Sequence, residues 1–112
     1  MVKRHWRGAL LRTELHPSTE RVPAREKLLD AAGVHSGFFE AALVPRRLEN
    51  GMFVVTVYID GWEVGAVLPT STTDAEVVRA ATSSRVNIGR VFLKRDWSSD
   101  ARAVLRLGRP GR

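Results

Sequence analysis

Residues 52–69 constrain the fold more than any other part of this chain. They read Met-Phe-Val-Val-Thr-Val-Tyr-Ile-Asp-Gly-Trp-Glu-Val-Gly-Ala-Val-Leu-Pro. Asp60-Gly61 is a pair favoured in two-residue hairpin turns, because both central positions of such a turn need positive φ. Folding about it places Ile59 opposite Trp62, Val57 opposite Val64, Val55 opposite Ala66 and Phe53 opposite Leu68. The alternation predicts Phe53, Val55, Val57, Ile59, Val64, Ala66 and Leu68 as one buried wall. Thr56, Tyr58, Glu63 and Gly65 then occupy a second face suited to solvent or a ligand.

The flanking sequence supplies further elements. Residues 6–15 offer a first strand of weak alternation, so residues 1–22 read as a basic leading segment. Residues 23–32 carry Pro at the start, Leu28, Leu29 and Ala32 on one stripe, and Gly33 as a stop, the signature of a short helix. Residues 38–44 alternate, with Phe39, Ala41 and Leu43 on one side. Pro45-Arg-Arg-Leu-Glu-Asn-Gly51 reads as a connecting loop. After Pro69, Thr73 and Glu76 match a capping box, and Val77, Val78 and Ala81 form the apolar stripe of a second helix. Residues 86–93 and 101–107 are two closing strands, and residues 108–112 are expected to be a disordered tail. Five or six strands with two short helices in a chain of 112 residues make a mainly β, partly closed SH3- or OB-like barrel the economical solution. That single domain spans residues 23–107, and Gly65 opposite Thr56 gives it room for tight curvature.

The net charge of +6 is unevenly distributed. Residues 1–12 hold four basic side chains and no acid, and residues 81–112 hold eight against Asp96 and Asp100. Between them, residues 51–80 hold Asp60, Glu63, Asp74 and Glu76 against Arg79. Basic ends around an acidic middle present one phosphate-attracting surface if the ends meet in space. Fifteen arginines against three lysines also fit a G+C-rich coding bias, so composition alone does not decide the point.

Several chemistries are excluded. Without cysteine there are no disulfides, thiolate ligands or cysteine nucleophiles. His5, His16 and His35 lie in separate segments with no ligand spacing, so no metal and no cofactor is expected. The serines form no nucleophile elbow, and no glycine-rich phosphate loop is present. The chain therefore reads as non-enzymatic. No apolar run reaches bilayer-spanning length and no h-region follows the first basic residues, so no membrane association and a cytoplasmic location are expected.

What remains is a set of basic and aromatic residues. Trp97 stands in a polar loop beside Lys94 and Arg95, a grouping that can stack a base and hold a phosphate. The competing reading folds the indole back as a lid over the barrel end. Arg46 and Arg47 either bind phosphate from the loop before the hairpin or are solvated there. In residues 101–107, alternation points Arg102 and Arg106 outward with Val104, away from Ala103, Leu105 and Leu107. Tyr58 is either a stacking surface or a packing residue.

Ala41-Ala-Leu-Val-Pro45, the hairpin Val54-Val-Thr-Val-Tyr-Ile-Asp-Gly61 and the exit Val64-Gly-Ala-Val-Leu-Pro69 together resemble the HIRAN domain, over about residues 25–107. In place of that family's Asn-Pro-x-Asp loop motif stands Leu48-Glu-Asn-Gly-Met-Phe53. The resemblance implies a small barrel associated with DNA processing that can bind single-stranded DNA ends. With the basic surface, it favours a module that recognises single-stranded or terminal DNA through Arg46, Arg47, Tyr58, Lys94, Arg95, Trp97, Arg102 and Arg106. The alternative is a non-catalytic protein-interaction or accessory module, such as a phage or mobile element encodes, with a protein as partner.

Overall fold

The computed structural model describes residues 2–17, 23–96 and 101–108. In chain order these form β1 (Leu11–Glu14), α1 (Ala24–Ala32), β2 (Ser36–Arg47), β3 (Phe53–Ile59), β4 (Trp62–Val67), α2 (Thr72–Thr82), β5 (Ile88–Lys94) and β6 (Arg102–Leu107). The strands make one antiparallel sheet in the order β1-β6-β5-β2-β3-β4. Just beyond β1, His16 bridges to Ala66 of β4, its N–H donating to the Ala66 carbonyl at 3.0 Å and its carbonyl accepting at 3.3 Å. The two ends of the sheet order are thereby joined, and the sheet curls into the partly closed barrel expected. α1 packs on β4 and β5, while α2 packs on β1, β2, β3 and β4. Leu28 and Leu29 of α1 and Val77, Val78, Ala80 and Ala81 of α2 join the strands' inner residues in one core. Ala32, expected on the α1 stripe, is exposed at the helix end.

The Asp60-Gly61 turn forms as the sequence predicts, with φ of 49° and 81°, and Ile59 faces Trp62. Beyond Tyr58 and Glu63 the register departs from expectation. Val57 pairs with Gly65, Thr56 with Ala66 and Val55 with Val67, so Val64 is an extra residue in a β-bulge. Val67, not Ala66, therefore reaches the core, and Gly65 lies opposite Val57 instead of Thr56. The bulge has a steric cause. A Cβ on Gly65 would lie 2.4 Å from the His16 carbonyl oxygen and 2.8 Å from the Leu15 Cβ, so the segment closing the barrel crosses directly against this glycine. Phe53, at the open end of the expected wall, and Trp62, beside the turn, are 38% and 43% exposed. The Lys27 ammonium lies 5.5 Å from the Trp62 ring. Thr56 is buried between Val44 and Ala66 of the flanking strands, which reduces the polar face expected there.

Other boundaries shift for local reasons. β2 runs through Pro45 to Arg47, so Arg46 and Arg47 lie on a strand and not in a loop. The Leu43 N–H points to the β5 side, where it donates to the carbonyl of Asn87, the residue just before that strand. Two residues on, the Pro45 nitrogen faces the same way, past the start of β5, where no ladder bond is lost. The α2 cap is Ser71, two residues before the expected Thr73, and its hydroxyl accepts from the Asp74 N–H at 3.1 Å. The Asp74 carboxylate is held by the Thr13 hydroxyl, which ties α2 to β1.

Arg25 is the main departure from the expected polar face of α1. It is only 4% exposed, and its guanidinium donates to the carbonyls of Val64 at 2.6 Å, Ala101 at 2.8 Å and His16 at 3.0 Å. A planar fork of N–H donors suits this seam, where carbonyls from three segments converge on one side chain.

Candidate nucleic-acid interface

Residues directly opposite one another in an antiparallel sheet project from the same face. Thr13, Leu105, Val91 and Phe39 form one such row on the inner face, across β1, β6, β5 and β2. The neighbouring outward row is Arg12, Arg106, Arg90 and Glu40. The next outward row is Glu14, Val104, Phe92 and Phe38, and beyond it Arg102 and Lys94 stand opposite each other. The two basic ends of the chain therefore do meet, with Arg12 of β1 directly opposite Arg106 of β6.

Three arginines side by side are unfavourable without an anion, since like charges directly opposite in a sheet destabilise the pair. Glu40 offers little relief, because its carboxylate is engaged by the Lys3 ammonium at 2.8 Å. What the arginines have instead is an aromatic ring. The guanidinium carbons of Arg90 and Arg106 each lie 5.2 Å from the Phe38 ring centroid, within range of a cation–π attraction. Phe38 packs on Phe92 at 5.0 Å between centroids with the rings tilted by 51°, yet it remains 49% exposed. The Arg106 Nε is buried and has no hydrogen-bond partner. An open groove of about 1050 Å³ runs over this patch, with residues 5–10 along one side and Phe38, Arg90 and Arg106 among its other lining. Exposed aromatic surface beside guanidinium groups that form no ion pair with a described residue provides both contacts that an unpaired nucleotide needs, stacking for the base and charge for the phosphate.

The residues expected from sequence are distributed unevenly about this face. Arg106 is at its centre. Arg102 and Lys94 lie on it one row beyond the phenylalanines, both exposed, and Arg102 meets Glu14 at 3.3 Å. Arg95 is directed elsewhere: its guanidinium bridges Glu26 and Asp30 of α1. The hydrogen bond with Asp30 raises the Arg95 pKa further above its ordinary value. Tyr58 is half-buried on β3 between Ala42 and Glu63. Arg46 and Arg47 are exposed at the far end of β2, and eight residues of strand put Arg46 about 27 Å from Phe38. Trp97 lies outside the described residues.

Phe38, Arg90 and Arg12 were not singled out in the sequence, although part of their signal is there. Placing Phe39, Ala41 and Leu43 inward leaves Phe38 on the outer face of the same strand. Val91 and Leu93 likewise leave Arg90, Phe92 and Lys94 outward. Only the strand order brings the two sets together.

Among the described residues no cluster of three His, Asp or Glu side chains could hold a metal ion, and no helix is long and apolar enough to cross a membrane. No protein-family model, curated protein or solved structure matches the chain.

Proposed function

We propose that this chain is a small, non-catalytic nucleic-acid-binding module that takes single-stranded or terminal DNA on the outer face of β6, β5 and β2. The observation that carries the reading is the row Arg12, Arg106 and Arg90 across three adjacent strands, with Phe38 exposed beside it. Phosphates neutralise a row of charge that the fold otherwise bears at a cost, and the ring supplies a sequence-tolerant stacking surface. The resemblance to the HIRAN domain, carried by the hairpin and the Leu68-Pro69 exit, supports the same reading. The binding face lies apart from the β2–β3 loop, where the family's missing loop motif would fall.

Titration of a labelled single strand at several salt concentrations tests this. Each neutralised phosphate contributes about −0.7 to the log–log slope of affinity against salt. Replacing Arg90 and Arg106 together by Gln is expected to flatten the slope by about 1.4, which changes the loss of affinity between about 50 and about 200 mM salt by about sevenfold. Absence of binding at low salt, or binding indifferent to salt, would overturn the proposal and favour a protein partner.

A further inference from the structure

The segment of residues 2–10 precedes β1, but it is not loosely placed. One side chain supplies two of its anchors. Asn87, 8% exposed, accepts from the Arg4 N–H at 2.6 Å through Oδ1 and donates to the Val2 carbonyl at 2.9 Å through Nδ2. Its own backbone N–H donates to the Arg4 carbonyl at 2.9 Å. His5 then makes a parallel bridge to Ile88, where β5 has no β6 residue opposite it. Lys3 adds the ion pair with Glu40. Farther along, the Trp6 indole donates to the Ala9 carbonyl at 2.8 Å and packs against the core. The ring lies so close over Gly8 that a Cβ there would come within 2.6 Å of it.

The consequence is a wall. Residues 5–10 line the open groove together with Phe38, Arg90 and Arg106. Arg7 is exposed on that wall and forms no ion pair or hydrogen bond with a described residue. The charged groups around the groove are Arg7, Arg90 and Arg106 against Glu40, which Lys3 already neutralises.

From this arrangement we infer that residues 2–10, positioned by Asn87, are the second jaw of the nucleic-acid site, and that the ligand is a single strand held between this jaw and the Phe38 platform. The inference rests on the nucleic-acid reading and adds the class of strand. A two-sided slot suits an unpaired strand, whose base can lie on the ring while its phosphates meet guanidinium groups on both sides. A duplex keeps its base faces stacked internally and offers only phosphates to the open side of the sheet. Asn87 is a positioning residue: its side chain makes two of the bonds that hold the start of the jaw, and without them residues 2–4 must be re-ordered during binding, which opposes association.

Fluorescence anisotropy with labelled oligo-dT of about twelve nucleotides, beside a duplex of equal length, separates the outcomes. Asn87→Ala is expected to weaken single-strand binding by about tenfold, chiefly through faster dissociation. Duplex binding should stay within about twofold, because it uses phosphate contacts on the open face. Loss of fold alone would lower both affinities together. Arg7→Gln, on an exposed side chain, probes the jaw without disturbing Asn87, and should flatten the single-strand salt slope by about 0.7 at unchanged melting temperature. Wild-type single-strand affinity and slope in both variants, or equal loss on single and double strands in Asn87→Ala, would overturn the jaw while leaving the nucleic-acid reading intact. If Asn87→Ala does not fold, an unchanged slope in Arg7→Gln overturns it. A wild-type protein that binds neither oligonucleotide removes the underlying reading, and the jaw with it.

Discussion

Gly65→Ala isolates the contact that closes the barrel. Gly65 has φ +155°, and a Cβ there would stand 2.4 Å from the His16 carbonyl oxygen, 2.8 Å from Arg25 Nη2 and 2.8 Å from the Leu15 Cβ. A carbon and a carbonyl oxygen rest at about 3.3 Å or more, so the His16 carbonyl would have to retreat by about 0.9 Å. That movement stretches three bonds beyond useful length: His16 N–H to the Ala66 carbonyl at 3.0 Å, Ala66 N–H to the His16 carbonyl at 3.3 Å, and Arg25 to the His16 carbonyl at 3.0 Å. At about 1 kcal/mol net for each bond and about 1–3 kcal/mol for the strained backbone, the cost is about 4–6 kcal/mol. A domain of this size has only about 5–15 kcal/mol of stability in all. At about 4 °C per kcal/mol, the melting temperature should fall by about 16–24 °C in a thermal scan followed by circular dichroism. Gly61→Ala is the control. Its φ is also positive, at +81°, but nothing lies within 4 Å of the added methyl, so only the left-handed penalty of about 1–2 kcal/mol remains. A Gly65→Ala protein melting as high as Gly61→Ala would refute the argument that the crossing segment sets the bulge.

Substitutions at two further positions test the interior. Val57 is fully buried in the core, and Val57→Asp places an unpaired carboxylate there at a cost of several kcal/mol; no cooperative thermal transition is expected, and a cooperatively melting variant would contradict the assigned face. Arg25→Met removes the donor to the carbonyls of Val64, Ala101 and His16, and at about 1 kcal/mol net for each bond the urea midpoint should drop. Arg25→Lys should recover only part of that loss, since one ammonium cannot span the guanidinium's fork. A midpoint for Arg25→Met equal to wild type would show that the seam does not depend on this side chain.

Much of the fold was legible because it is locally encoded. The Asp60-Gly61 turn follows from the positive φ that two adjacent positions require, and residues in contact along the chain supply that requirement. The inward set Ala103, Leu105 and Leu107 and the outward set Arg102, Val104 and Arg106 follow from period-two alternation alone. The bulge was not legible from the apolar pattern. Val64, Ala66 and Val67 are all apolar, so both registers of β4 offer a passable core wall, and the choice falls to a segment about fifty residues earlier in the chain. Arg25 was equally hidden. It sits in Arg-Glu-Lys beside Lys27, and nothing local distinguishes the buried cation from the exposed one.

The candidate site divides along the same line. By itself, the sequence determined that Arg106 points outward, that the chain's ends are basic, and, by turning Phe39, Ala41 and Leu43 inward, that Phe38 falls on the outer side of its strand. Only the tertiary structure decided that β6, β5 and β2 are neighbours in that order, which sets Arg12, Arg106 and Arg90 in one row beside Phe38. It also withdrew Arg95 to the carboxylates of α1 and set residues 5–10 along the groove. The physical reason is range. Alternation and turn chemistry act between residues a few positions apart, whereas pairing of charge with charge or with an aromatic ring depends on strand order, which is fixed by burial of the whole inner face at once.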